Sequence, residues 1–522
     1  MKCFSSFRVM PANVVAALEN WNLPFINYIL GFVFTLVIAF FLNNISRQEF
    51  IFNLPAEQVL INFTHYMLSN ITWAVLFILI LNYITRVPVK CVMKVVMPGY
   101  ILSWIKPFVD LTTTGGNPVN TGYLVPGSGT IDIFHFFLTG NPVASIGAKC
   151  LVISFLFCVI AYFRVKKLNW VFCAIYTVLI YAMIVLWSAV PLFINALMKL
   201  TGYSFVFSTE MMIHFYLVAL FLFGMMTAYL ANPEMFLLFA RDVRALRMTH
   251  YELMLFLGAA LALGESAYDV LPQLYFSEDI VINIVLCMIS LLFSGLFAIV
   301  VNNLSDIEID RISNADRPLI RNVIDVKSYL SFGFCFMALA LFYSAMVNSK
   351  ALLVMSLFMG SYYVYSSPPL RLKRIIVFSK LAISLNSLAL VMLGYLLVRK
   401  SVDGFPESLY WIFLIGFTLS ANFIDLKDVK GDSAAGIITL PVLFGDKKAK
   451  IMIGTAFWLT YLALFYIVDN IYLIVPLVLG GGLQFYLINR KPYNEFLVLL
   501  FHNLSLVALI VYLMMIKIYF PQ

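Results

Sequence analysis

A chain of 522 residues that is 62% hydrophobic and only 11% charged, with a mean hydropathy of +0.95, cannot be a soluble globule, because a folded domain in water carries about 25% charged residues and needs polar groups to cover its exterior. The surplus apolar surface must face lipid, and the formal charge of +8 reads as the basic-loop bias of a membrane protein, with no nucleic-acid partner implied. Seven cysteines without a CxxC spacing behave as small packing hydrophobes and imply neither a zinc site nor a disulfide framework.

A helix that crosses hydrocarbon needs about 20 mostly apolar residues, and such runs recur from end to end. Clear examples are Leu23–Leu42, Met211–Leu230, Ile280–Val300, Tyr329–Val347, Leu353–Tyr365 with its flanks, Leu409–Phe423 and Phe496–Ile516. They predict an all-α, polytopic protein with about 15 spans, roughly six in a first module and nine in a second. The first run is too long and too far from Met1 for a cleavable signal peptide, and no small-residue cleavage pattern follows it.

Residues 1–240 read as a separate transmembrane module of unassigned role. Its basic groups are Lys2 and Arg8, then Arg86, Lys90 and Lys94, then Arg164, Lys166 and Lys167. A Gly-, Thr- and Pro-rich loop from Asp110 to about Pro142 predicts irregular structure, and a loop of that length is functional or disordered. His135 stands alone among apolar residues and reads as structural or interfacial; no catalytic constellation is present in this module. Pro233 and three arginines interrupt the apolar pattern near Asn232–His250, which sets the expected boundary between domains 1–240 and 241–522.

In the second module basic residues gather in every second loop: Arg241, Arg244 and Arg247; Arg311, Arg317, Arg321 and Lys327; Arg371, Lys373 and Arg374; Lys427, Lys430, Lys447, Lys448 and Lys450; Arg490 and Lys491. The positive-inside rule puts these loops on the cytoplasmic side. Two acidic clusters share that side. At the end of the Ile280–Val300 run, Asn302, Asp306 and Asp310 are spaced i, i+4, i+8; after Leu409–Phe423, Asp425, Asp428 and Asp432 are spaced i, i+3, i+7. Either spacing keeps its residues on one side of a helix. Like charges so stacked repel, and a divalent cation reverses the sign: Mg²⁺ takes hard oxygen ligands from a few carboxylates and completes its shell with substrate phosphates and water. Two such clusters facing one cavity could hold metal against a diphosphate, with Arg317, Arg371, Lys373 and Arg374 supplying charge-assisted hydrogen bonds to phosphate.

These residues carry a resemblance. Asn302, Asp306 and Asp310 followed by Asp316-Arg317-Pro318, the segment Tyr365–Arg374 (YSSPPLRLKR), and Asp425, Asp428, Gly431 and Asp432 leading to Phe444-Gly445 resemble the signature set of the UbiA superfamily of intramembrane prenyltransferases, over roughly residues 240–522. The resemblance implies a bundle of nine transmembrane helices around a lipid-open cavity. It also implies an isoprenyl diphosphate donor, a lipophilic or aromatic acceptor and Mg²⁺ as cofactor. In that reading Asn302, Asp306, Asp310, Asp425, Asp428 and Asp432 are the metal ligands, with Asp306, Asp310, Asp425 and Asp428 carrying the chemistry. Arg317, Lys373, Arg374, Arg371 and Arg247 contact the diphosphate; Arg247 has Met248 beside it where the family usually has proline. Position 303 is Asn where many relatives carry Asp. The acceptor is not selected by these motifs. A transporter or lipid-binding protein on the same fold, or a phosphoribosyl-transferring relative, are the alternative expectations.

Overall fold

The computed structural model describes residues 12–46, 54–114, 145–191, 208–265, 278–313, 317–434, 436–468 and 470–519. Every regular element among them is helical, and 13 helices are long and apolar enough to cross a membrane. Most of the Asp110–Pro142 loop, His135 and Asp316 lie outside the described residues. The chain divides into two compact units, Met1–Phe236 and Leu237–Gln522.

In the first unit the helices are α1 (Phe25–Ser46), α2 (Ala56–Thr85), α3 (Val89–Gly99), α4 (Ile105–Thr114), α5 (Ile146–Val165), α6 (Trp170–Ser188) and α7 (Thr209–Ala231). Three begin at side chains that accept a backbone N–H of the first turn: Ser145 from Ala148, Asn169 from Val171 and Ser208 from Met211. Such caps satisfy donors that a helix start leaves open. Buried Thr72 on α2 donates to the Tyr216 carbonyl of α7 at 3.3 Å, whereas Phe157 is 73% and Val178 65% exposed, the outward apolar surface that a lipid solvent requires. A short helix, α8 (Pro233–Asp242), follows.

The second unit contains α9 (Ala245–Glu265), α10 (Glu278–Ser305), α11 (Ile307–Ser313), α12 (Val326–Val347), α13 (Ser349–Ser366), α14 (Ile376–Arg399), α15 (Glu407–Lys427), α16 (Val429–Ala434), α17 (Leu440–Ala463), α18 (Ile474–Asn489) and α19 (Glu495–Tyr519). Among the described residues nine of these are of membrane length, as the apolar runs predict; α9 and α13 are the two with more polar character. Helices α9 and α14 form the most intimate pair, with α19 against α9, α12 and α13 against α10, and α18 against α17. Their shared core includes Met254, Leu255 and Leu257 of α9 with Leu390, Val391 and Tyr395 of α14.

Two glycines set the spacing of that pair. A Cβ on Gly258 would lie 1.9 Å from the Val391 carbonyl oxygen, and one on Gly394 would lie 1.9 Å from that of Leu255. In lipid, where apolar burial does not drive helix association, small residues that let backbones touch supply much of the attraction. Gly394→Val is therefore expected to force α9 and α14 apart. Overpacking costs about 1–3 kcal/mol, so the apparent melting temperature in detergent should fall by about 5 °C or more; an unchanged melting curve would mean that the close approach is dispensable.

Span α15 is not a uniform α-helix. It opens as α over Glu407–Trp411, widens to π over Ile412–Phe417 and ends as a 3₁₀ helix over Ala421–Lys427. π segments recur at functional sites, and this one frees the Phe413 carbonyl to accept from Ser384 of α14 and from Thr418. Downstream, Gly445 at φ 77° breaks α17 after its first turn, a positive-φ conformation that a residue with a side chain adopts only at a cost.

Candidate active site

The first acidic cluster straddles a break in the chain. Asn302 lies near the end of α10, Asp306 at the junction and Asp310 on α11. Backbone bonds from Asp306 N to the Asn302 oxygen (3.0 Å) and from Asp310 N to the Asp306 oxygen (2.8 Å) carry the i to i−4 ladder through the junction. Asp306 is gripped by two cations from the turn after α13: Lys373 Nζ lies 2.5 Å from both carboxylate oxygens, and Arg371 donates to Oδ1 at 2.8 Å. Lys373 also reaches Asn302 Oδ1 at 3.4 Å, and Ser366 donates to the same oxygen at 3.3 Å. Arg371 has φ 45°, a strained setting that surrounding structure must enforce. It also donates to the Ser305 carbonyl at 3.0 Å. Arg374, on the same turn, is exposed and makes no ion pair among the described residues.

Arg317 donates to Asn303 Oδ1 at 2.7 Å and lies 3.9 Å from Asp310 Oδ2. Asn303 in turn donates to the Tyr329 hydroxyl at 2.9 Å and to Asp242 Oδ2 at 3.4 Å. Its amide therefore matches an arginine on one side and a carboxylate on the other, and Asn303 acts as a positioning residue for Arg317.

The second cluster departs from a regular helical face. Asp425 lies in the last turn of the 3₁₀ stretch, Asp428 caps it at φ −100°, ψ 6°, and Asp432 lies on α16. Because 3₁₀ and α segments meet here, the i, i+3, i+7 spacing is joined by backbone bonds from Asp428 N to the Asp425 oxygen and from Asp432 N to the Asp428 oxygen, 3.1 and 2.9 Å, without one continuous helix. Buried Lys380 of α14 holds Asp425 Oδ1 at 2.6 Å. Glu495 of α19 receives both Arg247 of α9 and Lys427, the latter at 2.7 Å.

These contacts draw both clusters to one end of the bundle. Lys373 of the turn holds the first cluster and Lys380 of α14 holds the second, seven residues further along the chain. Arg244 feels repulsion from Arg317 beside the first cluster and attraction from Asp428 in the second. Burial, then the positive charges of Arg247 and Arg317, push its guanidinium down to about 10. Solvent still reaches Arg244, the situation of a side chain enclosed in an open recess.

The acidic groups here are frustrated. Burial raises the Asp428 carboxyl despite the opposing pull of Lys427. Burial, then the charges of Asp425 and Asp428, push Asp432 up to about 6. Burial likewise lowers Lys373, against the attraction of Asp306. Among the described residues no three His, Cys, Asp or Glu side chains converge into a closed metal centre. The donors are hard oxygens that repel one another, the set that suits Mg²⁺ when phosphate oxygens complete the shell. The residues therefore fit the ion as part of a ternary site.

A consequence follows for pH. Metal binding requires deprotonated carboxylates, and Asp432 holds its proton up to about pH 6. Below that pH the apparent Mg²⁺ affinity should fall by up to about tenfold per pH unit as one proton is displaced, and Asp432→Asn should flatten the slope. Equal Mg²⁺ titrations at pH 5 and 7 would refute this linkage.

Sequence reading missed four residues of this recess: Lys380, Glu495, Arg244 as a link between the clusters, and Asn303 as a positioning group. Two had a visible signal, since a lone lysine in the apolar Ile376–Arg399 run and an acid opening the Glu495 run are costly at membrane depth and imply partners.

The model of the UbiA prenyltransferase family matches residues 253–514. Digeranylgeranylglyceryl phosphate synthase of Methanopyrus kandleri is 27% identical over 162 residues, 30% of this chain and 56% of that protein. Homogentisate phytyltransferase of Synechocystis is 31% identical over 33% of this chain and 58% of its own length, so the chain spans little more than half of each of these relatives. A solved UbiA homolog from Archaeoglobus fulgidus, bound to GPP and Mg²⁺, is 22% identical and covers 53% of this chain and 99% of its own, with a TM-score of 0.42. The family match takes in half of the chain, and the protein is an integral, multi-pass membrane protein that belongs to the UbiA prenyltransferase family.

Proposed function

We propose that the domain of residues 241–522 transfers an isoprenyl group from an isoprenyl diphosphate to a lipophilic or aromatic acceptor and releases pyrophosphate. The observation that supports this reading is that each carboxylate cluster is held by a cation from one stretch of chain, Asp306 by Lys373 of the turn before α14 and Asp425 by Lys380 of α14 itself. In this reading Arg317, Arg371, Lys373, Arg374 and Arg247 serve the donor diphosphate. Lys373 and Arg371 exchange Asp306 for phosphate oxygens, since ammonium and guanidinium groups bind either anion. Asn302, Asp306, Asp310, Asp425, Asp428 and Asp432 would hold Mg²⁺, which when bound neutralises charge on the leaving pyrophosphate as a Lewis acid.

The allylic C–O bond breaks with its electron pair leaving on pyrophosphate; the acceptor's nucleophilic atom bonds to the allylic carbon and gives up its proton. Fixed cations aimed at the leaving group act where charge develops and need no reorganisation. The prenyl tail lies among the helices or in membrane lipid, where each buried CH₂ contributes about 0.8 kcal/mol. The basic loops support a cytoplasmic-side position for the site. Residues 1–240 would form a separate transmembrane module, and no catalytic cluster of this kind is found among its described residues.

The test is release of pyrophosphate by the full chain in lipid nanodiscs, given geranylgeranyl diphosphate, Mg²⁺ and a panel of lipophilic alcohols and phenols. Release that depends on one acceptor class and stops with chelator is expected. Tight binding of the diphosphate with no product from any acceptor would overturn the reading.

A further inference from the structure

Helix α8 ends beside the first acidic cluster and is held there by its own side chains. Phe239 is buried. Its ring stacks on Tyr329 of α12, with centroids 5.5 Å and planes 17° apart, and packs against Phe332 and Phe336 at 5.0 and 5.1 Å. Aromatic contacts of this kind hold a position as well as bury area. Asp242 lies three residues further on, on the same face of α8. Docking Phe239 therefore brings the Asp242 carboxylate to the Tyr329 hydroxyl and to Asn303.

The hydrogen bonds around Asn303 run in one direction. A guanidinium only donates, so the Asn303 oxygen faces Arg317, which donates to it at 2.7 Å. The amide nitrogen then faces away, with one N–H to the Tyr329 hydroxyl at 2.9 Å and one to Asp242 Oδ2 at 3.4 Å. The Tyr329 hydroxyl keeps its own proton for the same Asp242 oxygen, at 3.5 Å. Asn303 is 2% exposed and Tyr329 0%, so the relay is shut off from solvent.

A neutral amide can orient Arg317 but cannot balance its charge. The ion-pair contact of Arg317 among the described residues is Asp310 at 3.9 Å, a carboxylate that the proposed function assigns to Mg²⁺. Asp242 is the anion on the far side of the amide. Burial raises its carboxyl, and the charge of Arg317 is the largest pull in the opposite direction. We propose that Asp242 is a positioning residue for Arg317: through the Asn303 amide it supplies the counter-charge that holds the guanidinium in place for the donor diphosphate. The inference rests on the reading that Arg317 serves that diphosphate.

The sign of one measurement separates this role from simple charge repulsion. Removing a carboxylate near an anion site strengthens anion binding if the charge acts only through space. If Asp242 positions Arg317, Asp242→Asn should instead weaken binding by about tenfold, the scale typical of losing an outer-shell partner. Moving the carboxylate should repair the loss. In Asp242→Asn/Asn303→Asp the new carboxylate meets Arg317 directly, the new amide donates to it, and the Tyr329 hydroxyl turns to do the same.

The test is equilibrium binding of radiolabelled inorganic pyrophosphate, with Mg²⁺, to the full chain in nanodiscs, beside a melting curve for each variant. Asp242→Asn is expected to bind about tenfold more weakly, and the double variant to return close to the unmodified protein. Equal or tighter binding by Asp242→Asn would overturn the positioning role alone, as would a folded double variant that binds no better than Asp242→Asn. Should Asp242→Asn fail to melt cooperatively, the double variant decides by itself: restored affinity supports the role, and a tenfold loss removes it. An unmodified protein that binds no pyrophosphate would overturn the proposed function, and the role of Asp242 with it.

Discussion

Asp306→Asn is expected to lower turnover of an allylic diphosphate by at least about 10³-fold, since loss of one preorganised electrostatic contact to developing charge costs about 10²–10³ and this carboxylate serves two ends. It is a hard oxygen donor for the ion, and it holds Lys373 and Arg371 in place, at 2.5 and 2.8 Å. Asparagine keeps the shape and can still bridge the cations through its carbonyl, so the fold should survive with a fall in melting temperature, because Lys373 and Arg371 lose their carboxylate; a cooperative melting transition is the control. Loss of charge should also raise the Mg²⁺ needed for half-maximal rate. Parental turnover at ordinary Mg²⁺ would remove Asp306 from the metal site and leave it a structural ion-pair partner.

Lys380→Met should act first on stability. The ammonium and the Asp425 carboxylate are buried against each other at 2.6 Å, with side-chain exposures of 4% and 12%. Removing one partner of a buried pair leaves an uncompensated charge and costs about 3–5 kcal/mol. At a few degrees per kcal/mol this is a fall in apparent melting temperature on the order of 10 °C. The double variant Lys380→Met/Asp425→Asn should recover most of that loss, because no buried charge remains, yet stay inactive, because the oxygen donor is gone. That split separates a stabilising pair from a catalytic one. If Lys380→Met melts like the parent, the buried ion pair does not stabilise the bundle.

How much of this was legible beforehand follows from the kind of information each feature uses. The membrane setting and the all-helical class are consequences of run length and charge scarcity. Both are local properties, and 13 helices among the described residues are long and apolar enough to cross a membrane, against about 15 expected. The acidic clusters were visible because carboxylates at the ends of apolar runs are expensive and must have a reason. Their spacing in Asn302, Asp306 and Asp310 survives as an unbroken ladder of backbone bonds.

Local pattern could not supply the partners. Lys373 and Asp306 are 67 residues apart, Arg247 and Glu495 248, and His250 and His502 252; which cation meets which carboxylate is decided only when α9, α14 and α19 pack. The change from π to 3₁₀ along α15 likewise depends on Ser384 reaching across to the Phe413 carbonyl. Composition and spacing alone determined that this protein lives in the bilayer and carries two oxygen-rich helix ends. Tertiary packing decided which cations meet those ends, Lys373 on Asp306 and Lys380 on Asp425. The physical reason is range: burial preference and charge cost act residue by residue, whereas ion pairs and cavities exist only between elements that the chain brings together.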